Sequence, residues 1–308
     1  MLSVKHILSC RDLTKKDVDL ILQTARVLKE ISYRPIKKVP TLRGKQVLLC
    51  FFEDSTRTRL SFDVAAKRLS ADTAVITKGG SSISKGETIF DTIRNLAAMQ
   101  TDIIVIRHKE AGVPAQAAAT FPNVSVINAG DGMHEHPTQA LLDLMTIQDA
   151  KGNVEGLNVT IAGDISHSRV ARSNMILLKK MGAHVHLAAP KTFLPSDVMQ
   201  YGVTVHNNFK DAVRISDVIM MLRIQMERQD NFYFPNAREY SRYFGLDLDI
   251  MKHAKPDAVV MHPGPVNRGL ELMPEVADGP HSVILDQVEN GVAVRMALLY
   301  LLCGASHE

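Results

Sequence analysis

The sequence predicts an α/β fold class: two open, mostly parallel, doubly wound α/β domains with the functional site in the cleft between them. Three observations predict it. Short apolar runs alternate with amphipathic helical stretches along nearly the whole chain, and that alternation builds parallel sheets covered on both faces. A length of 308 residues suits about two domains, and the polar stretch Lys151-Gly152-Asn153 interrupts the pattern near its middle before a second series begins. Polar clusters fall just after the expected strands, at the carboxyl edge where open α/β sheets take their ligands. We expect a first domain of residues 1–136 plus 287–308 and a second of 137–286.

Each element has its own reason. A helix is expected over 14–31, where Leu13-Thr14-Lys15-Lys16-Asp17 resembles a helix start and Val18, Ile21, Leu22, Ala25 and Leu28 form an apolar stripe. Pro35 and Pro40 end it. Residues 46–52 read as a buried strand, a nearly continuous apolar run after the turn-like Arg43-Gly44-Lys45. The helix that follows places Phe62, Ala65, Ala66 and Leu69 on one face, with Asp54 or Ser55 as its N-cap. A strand at 73–77, a small polar loop at 78–86, a helix over 87–100, a strand at 102–107, an alanine-rich helix near 113–119 and a strand at 124–128 complete the first series. Pro137 suits the first position of a helix carried by Ala140, Leu141, Leu144, Met145 and Ile147. Strands at 159–162, 184–188, 203–206, 217–222 and 258–262 then alternate with helices near 168–181 and 236–253. The last helix, 286–302, is apolar on more than half its turns and is expected to pack on the first domain. No repeat of fixed period and no low-complexity tract occurs.

Composition removes several function classes. The formal net charge is 36 − 33 = +3, and the basic residues are scattered, which argues against nucleic acid as a partner. Cys10, Cys50 and Cys303 are far apart and lack Cys-x-x-Cys spacing, so neither a disulfide framework nor a structural zinc site is indicated, and a reducing compartment fits. No run approaches the roughly eighteen apolar residues of a membrane span, and the N-terminus lacks a long apolar core. A cytoplasmic protein with no membrane partner is expected.

The chemistry concentrates at the strand ends. Ser55, Thr56, Arg57 and Thr58 would add hydroxyls and a guanidinium to the open N–H groups of a helix start, a set suited to a phosphate. The plainer reading is a capped, solvated helix start with surface arginines. Arg107 follows Ile106 and is, on position alone, as readily a surface arginine. His136 beside Pro137 is more often structural than catalytic, although its ring can donate near neutral pH. His134 and His136 flank Glu135 with no further ligand at suitable spacing, so no metal is expected. Gly163-Asp164-Ile165-Ser166-His167-Ser168-Arg169 follows a strand but lacks G-x-G-x-x-G, so no nucleotide cofactor is expected. Ser81 and Lys85 stand on a loop that would serve as well as a flexible connection. Arg223-Ile224-Gln225 and His262-Pro263-Gly264-Pro265 close two further strands. Taken together, these side chains would bind strongly anionic small substrates and act by positioning and electrostatics, without a covalent intermediate.

Ser55-Thr56-Arg57-Thr58-Arg59, His136-Pro137-Thr138-Gln139 and His262-Pro263-Gly264-Pro265 together resemble the aspartate and ornithine carbamoyltransferases, nearly end to end. Ser81-Ser82-Ile83-Ser84-Lys85-Gly86-Glu87-Thr88 and Arg223-Ile224-Gln225 are similar to the aspartate branch, and the Ser-Met-Gly loop and His-Cys-Leu-Pro segment of the ornithine branch do not occur. The resemblance implies transfer of the carbamoyl group of carbamoyl phosphate to the amine of L-aspartate. The products would be N-carbamoyl-L-aspartate and phosphate, an early step of pyrimidine synthesis, with no cofactor. It implies that Ser55, Thr56, Arg57 and Thr58 hold the phosphate, and that Thr58, Arg107 and His136 donate to the carbamoyl oxygen. Gln139 and the carbonyls of Pro263 and Gly264 would take the carbamoyl NH₂, and Arg169, Arg223 and Gln225 would bind the aspartate carboxylates. By the same resemblance Ser81 and Lys85 reach carbamoyl phosphate, and Lys85 also aspartate, from a neighbouring subunit, which implies a homotrimer with shared active sites. No side chain is an evident general base, and the phosphate itself would accept the amine proton. The polar segment 262–271 resembles the branch whose chains assemble with dihydroorotase, which implies that partner. Two alternatives remain: a carbamoyltransferase for another amino acid such as ornithine, and a non-catalytic scaffold subunit. The paired acceptor arginines argue against the first; the retention of Arg57, Arg107, His136 and Lys85 argues against the second.

Overall fold

The computed structural model describes residues 1–77, 88–224 and 237–303. Ser81, Lys85 and Gln225, and the loop expected at 78–86, lie outside the described residues. The chain forms two compact units, Met1–Leu142 with Glu289–Glu308, and Asp143–Val288.

In the first unit the elements run α1 (Lys15–Lys29), β1 (Gln46–Phe51), α2 (Thr56–Arg68), β2 (Asp72–Thr77), α3 (Ile89–Ala97), β3 (Ile103–His108), α4 (Val113–Thr120), β4 (Ser125–Asp131) and the start of α5 (Pro137–Lys151). The strands make one parallel sheet in the order β2-β1-β3-β4. β1 is interior to that sheet, which is why its apolar residues run continuously: Val47 to Phe51 are all buried. Leu48, Cys50 and Phe52 pack with Ile104, Ile106 and Ala117 on one side of the sheet. Burial pushes the Cys50 thiol up to about 12, so it acts as a small apolar group rather than a nucleophile. β2 lies at the sheet edge and is only partly buried. The opposite edge is covered by the N-terminal segment, where Ile7 donates to Val126 O at 2.8 Å and accepts from Asn128 N–H at 2.8 Å. The sequence reading did not include that pairing.

Helix α1 begins in a capping box: Thr14 Oγ1 accepts the Asp17 N–H, and the Asp17 carboxylate accepts the Thr14 N–H. The last helix, α11 (Ile284–Cys303), belongs to this unit from Glu289 onward. There Arg295 lies over the Phe62 ring at 5.1 Å and donates to Ser61 Oγ at 2.5 Å, fixing the helix against α2.

The second unit contains β5 (Asn158–Ala162), α6 (Arg169–Lys180), β6 (His184–Ala188), β7 (Thr204–His206), α7 (Phe209–Ile215), β8 (Val218–Met221), α8 (Ala237–Phe244), α9 (Leu248–Met251), β9 (Val259–Met261) and α10 (Pro274–Ala277). Its sheet is parallel in the order β7-β6-β5-β8-β9. The single helix expected over 236–253 is instead two short ones. The break has a tertiary cause: Leu246 leaves the helical path to pair with Leu272, donating to Glu271 O at 3.0 Å and accepting from Met273 N–H at 3.0 Å. Gly245 allows the exit, because a Cβ there would stand 2.4 Å from Ser241 O. α7, of seven residues, and α10, of four, span about two turns and one turn, too few for an apolar stripe to recur in the sequence. No helix among the described residues is long and apolar enough to cross a membrane.

Candidate active site

In the first unit the candidate residues leave three neighbouring strands at their carboxyl ends. Ser55 is the N-cap of α2 with extended backbone, and its side chain makes no capping hydrogen bond. The Thr14 and Ser168 side chains, by contrast, are spent on the N–H groups of α1 and α6. The first turn of α2 carries no acidic residue, so the positive end of its dipole is not offset from within the helix. Thr56 and Arg57 are exposed there, while Thr58 is buried and Ser55 half-buried. That combination of open hydroxyls, a guanidinium and helix-end N–H groups suits a phosphate dianion.

Arg107 is not the surface arginine its position alone would allow. It is the last residue but one of β3, which pairs with β1, and its backbone carbonyl accepts the Phe52 N–H at 2.9 Å. Its Nη2 donates to Glu53 Oε1 at 3.0 Å and its Nη1 reaches Ala129 O at 3.5 Å, so the fork is fixed by a neighbour on each adjoining strand exit. His108, next along, is buried against Phe52 and takes the Glu110 N–H on Nδ1 at 3.0 Å. Burial lowers its pKa.

His136 follows β4 on a loop anchored by two carboxylates as well as by its backbone, in which the Gly132 N–H donates to His108 O and the His134 N–H to Asp131 O, each at 2.9 Å. Asp131 accepts from Asn128 Nδ2 at 2.9 Å, the Glu135 N–H at 3.1 Å and the Gly112 N–H at 2.8 Å, and pairs with His134 Nδ1 at 3.1 Å. Burial alone would raise the Asp131 carboxyl, but the hydrogen bonds from His134, Gly112 and Asn128 outweigh it and hold the pKa below the usual value. Glu135 accepts the Cys10 N–H at 2.9 Å and the Ser9 hydroxyl. The loop therefore delivers a buried His136 to the start of α5, with Thr138 Oγ1 3.5 Å from its Nδ1 and a buried Gln139 one position further along the helix. Among the described residues no group of three or more His, Cys, Asp or Glu side chains is arranged to hold a metal.

In the second unit Arg169, Arg223 and Pro263-Gly264 leave β5, β8 and β9, which are consecutive in the sheet. Arg169 is the first residue of α6 and is 4% exposed; Arg223 is half-buried. The β5 exit presses on the β8 exit at Gly163, whose φ of +128° and 2.7 Å approach of a would-be Cβ to Leu222 O leave no room for a side chain. Asp164, fully buried, holds His167 Nδ1 at 2.7 Å, two residues before Arg169. Pro263 and Gly264 are half-buried, with a cis bond from Gly264 to Pro265.

Sequence reasoning placed the ligand-facing candidates at strand ends and missed what holds them. Glu53, Asp131, Glu135, Asp164 and Glu271 are the anchoring carboxylates. Asp164 with His167, Asp131 with His134 and Glu271 with Asn267 N–H stand within four residues of a partner, whereas Glu53 and Glu135 meet Arg107 and Cys10 only through the fold.

Comparison with known proteins accounts for both units. The family model for the carbamoyl-P binding domain of aspartate/ornithine carbamoyltransferase matches residues 5–149, and that for the Asp/Orn binding domain matches residues 155–302. The chain is 58% identical over 307 residues to the aspartate carbamoyltransferase catalytic subunit of Desulfosudis oleivorans, covering 100% of this chain and 98% of the relative. It is 59% identical to that of Syntrophotalea carbinolica, with 97% and 96% covered. Among solved structures, aspartate transcarbamoylase from Trypanosoma cruzi with carbamoyl phosphate and aspartate superposes with a TM-score of 0.87 at 30% identity, covering 97% of each chain. Ornithine carbamoyltransferase from Pyrococcus furiosus does so with a TM-score of 0.85 at 32% identity, covering 98% of each. With both units matched and the relatives aligned from end to end, the chain belongs to the aspartate/ornithine carbamoyltransferase family.

Proposed function

We propose that this chain transfers the carbamoyl group of carbamoyl phosphate to the amine of L-aspartate, giving N-carbamoyl-L-aspartate and phosphate in pyrimidine biosynthesis. The observation that carries the choice of acceptor is the pair Arg169 and Arg223, which leave adjoining strands of one sheet and suit a dicarboxylate better than a cationic side chain. Relatives 55–59% identical are named as the catalytic subunit of the aspartate enzyme, which supports the same choice.

In this reading Ser55, Thr56, Arg57 and Thr58 hold the phosphate of carbamoyl phosphate at the start of α2. Thr58, Arg107 and His136 donate to the carbamoyl oxygen, and Gln139 with the carbonyls of Pro263 and Gly264 accepts from the carbamoyl NH₂. Arg169, Arg223 and Gln225 bind the two aspartate carboxylates. As the amine nitrogen bonds to the carbamoyl carbon, negative charge builds on the carbonyl oxygen, so the three donors to it bind the transition state more tightly than the substrate. The carbon–oxygen bond to phosphate then breaks, its electron pair stays on the phosphate, and Arg57 with the helix-end N–H groups stabilises that charge. The departing phosphate takes the proton of the amine. The protein supplies position and field, and no covalent intermediate is needed.

We also propose a cytoplasmic homotrimer in which Ser81 and Lys85 serve a neighbouring subunit's site, supported by the likeness of their loop to the aspartate branch. The polar segment 262–271 supports dihydroorotase as a partner; gel filtration of the two proteins together should show a common, earlier peak, and no shift removes that partner. The substrate assignment is tested by measuring phosphate release from carbamoyl phosphate with aspartate or with ornithine. Release with aspartate is expected, and release with ornithine alone overturns it.

A further inference from the structure

The loop after β9 poses a problem that its own backbone does not solve. Pro263 and Pro265 carry no N–H, so His262-Pro263-Gly264-Pro265 has few main-chain donors with which to fix itself. The carbonyls of Pro263 and Gly264 are nevertheless asked to face a small amide, and hydrogen bonds weaken steeply when the donor angle is lost. Side chains supply the restraint. His262 Nδ1 accepts the Gly264 N–H at 2.8 Å. Because Nδ1 accepts, the ring proton is on Nε2, which lies 3.3 Å from Glu271 Oε1. The same carboxylate oxygen accepts the Asn267 N–H at 2.6 Å. One oxygen thus restrains both flanks of the loop, through an imidazole on one side and directly on the other. The His262 backbone is held in turn by Gln287 Oε1, which accepts its N–H at 2.9 Å, and Gln287 Nε2 donates to Asp143 Oδ1 at 2.8 Å.

The side chain of Glu271 is a poor choice for stability alone. It is fully buried, and its Oε2 has no hydrogen-bond partner. An enclosed carboxylate with one oxygen unsatisfied costs folding free energy that a neutral or apolar side chain would avoid. The pairing of the Glu271 main chain does not require it either, since the bond from Leu246 N–H to Glu271 O at 3.0 Å is independent of the side chain.

We propose that Glu271 is a positioning residue for carbamoyl transfer: by accepting from His262 Nε2–H and Asn267 N–H it holds His262 in the tautomer that fixes Gly264, and so aims the Pro263 and Gly264 carbonyls at the carbamoyl amide. This role rests on the proposed carbamoyl transfer, in which those carbonyls take the amide. Two measurements separate the two claims. Phosphate release by the unaltered enzyme with carbamoyl phosphate and aspartate tests the reading; no turnover overturns it and the role with it. ¹⁵N spectra of histidine-labelled protein, with the His262 signal identified by its loss in His262→Asn, test the link itself: an Nε2–H tautomer is expected, and an Nδ1–H tautomer overturns the proposal.

Glu271→Leu should lower kcat/KM for carbamoyl phosphate by about tenfold or more, the usual effect of losing a group that orients a ligand-binding one. The KM for aspartate and the affinity for inorganic phosphate should stay within about twofold, since other residues make those contacts. Glu271→Gln keeps an acceptor oxygen and should recover most of the loss. His262→Asn keeps an acceptor for the Gly264 N–H but cuts the link to Glu271, and should lose about as much as Glu271→Leu whether or not the leucine variant folds. Full kcat/KM in either Glu271→Leu or His262→Asn, equal loss in Glu271→Gln and Glu271→Leu, or a matching loss of phosphate affinity overturns the proposal.

Discussion

Arg107 meets its acceptors before any substrate arrives, with Glu53 at 3.0 Å on one nitrogen and Ala129 O at 3.5 Å on another. A fork held on two sides cannot swing to follow a substrate, and it needs no reorganisation as charge develops on the carbamoyl oxygen. Arg107→Ala should therefore lower kcat by about a hundredfold to a thousandfold in the phosphate-release assay. Arg107→Lys should recover little of it, because one compact ammonium lacks the separated nitrogens with which the planar fork spans Glu53 and the oxygen; wild-type kcat in the lysine variant would show that a point charge suffices. Asp17 offers a test of stability instead. Burial would raise its pKa, but hydrogen bonds from Ser3 and Thr14 lower it from 3.8 to about 2. A carboxyl depressed on folding adds stability above its unfolded pKa and loses it as the pH falls through the folded one. The wild-type protein should thus lose about 2 kcal/mol relative to Asp17→Asn between pH 5 and pH 2, read from denaturant unfolding at each pH. Parallel pH curves for the two proteins would exclude Asp17 as the source.

At the scale of elements, what the sequence could express was local pattern. β1, β3, β5 and β8 announced themselves because strands buried on both faces are continuously apolar, and the Thr14 to Asp17 capping box is written in four consecutive residues. The ligand-facing groups were legible for a related reason: Ser55 to Thr58, Arg107, His136 and Arg169 each stand where an apolar run gives out. What stayed hidden was set by partners distant along the chain. Leu246 breaks its helix for Leu272, and Ile7 covers β4 from the far N-terminus. Glu53 and Glu271 meet Arg107 and His262 only in the fold. Gly163 joins both kinds of information, a glycine after a strand whose necessity appears only when β8 is beside it. Gly163→Ala must relieve both a positive φ and a 2.7 Å approach to Leu222 O, which forces the exits of β5 and β8 apart. The KM for aspartate should rise by about tenfold or more while that for carbamoyl phosphate changes less, since Arg169 and Arg223 ride on those exits. Equal rises in both would mean that the whole unit had loosened.

At the scale of the molecule, each unit builds its own parallel sheet and sets its candidate residues at that sheet's carboxyl edge, so under the proposed function the phosphate ligands come from the first core and the aspartate ligands from the second. The described residues of one chain supply Arg57, Thr58, Arg107, His136, Arg169 and Arg223. If Lys85 serves a neighbour, the smallest active body is a closed ring in which every site draws Arg57 from one subunit and Lys85 from the next. Lys85→Ala and Arg57→Ala chains are each inactive alone in that arrangement, because every site then lacks one group. Mixed and allowed to exchange, a trimer containing both kinds of chain always has a single position where an intact Arg57 faces an intact Lys85. Random assortment from an equal mixture makes about a quarter of all sites of this kind, so about a quarter of wild-type phosphate release should return after exchange. Exchange is verified with a tag on one variant, by isolating hybrids that carry both. Hybrids that stay inactive would place Lys85 in the same subunit as the Arg57 it serves, since two chains each lacking one group of their own site cannot repair each other.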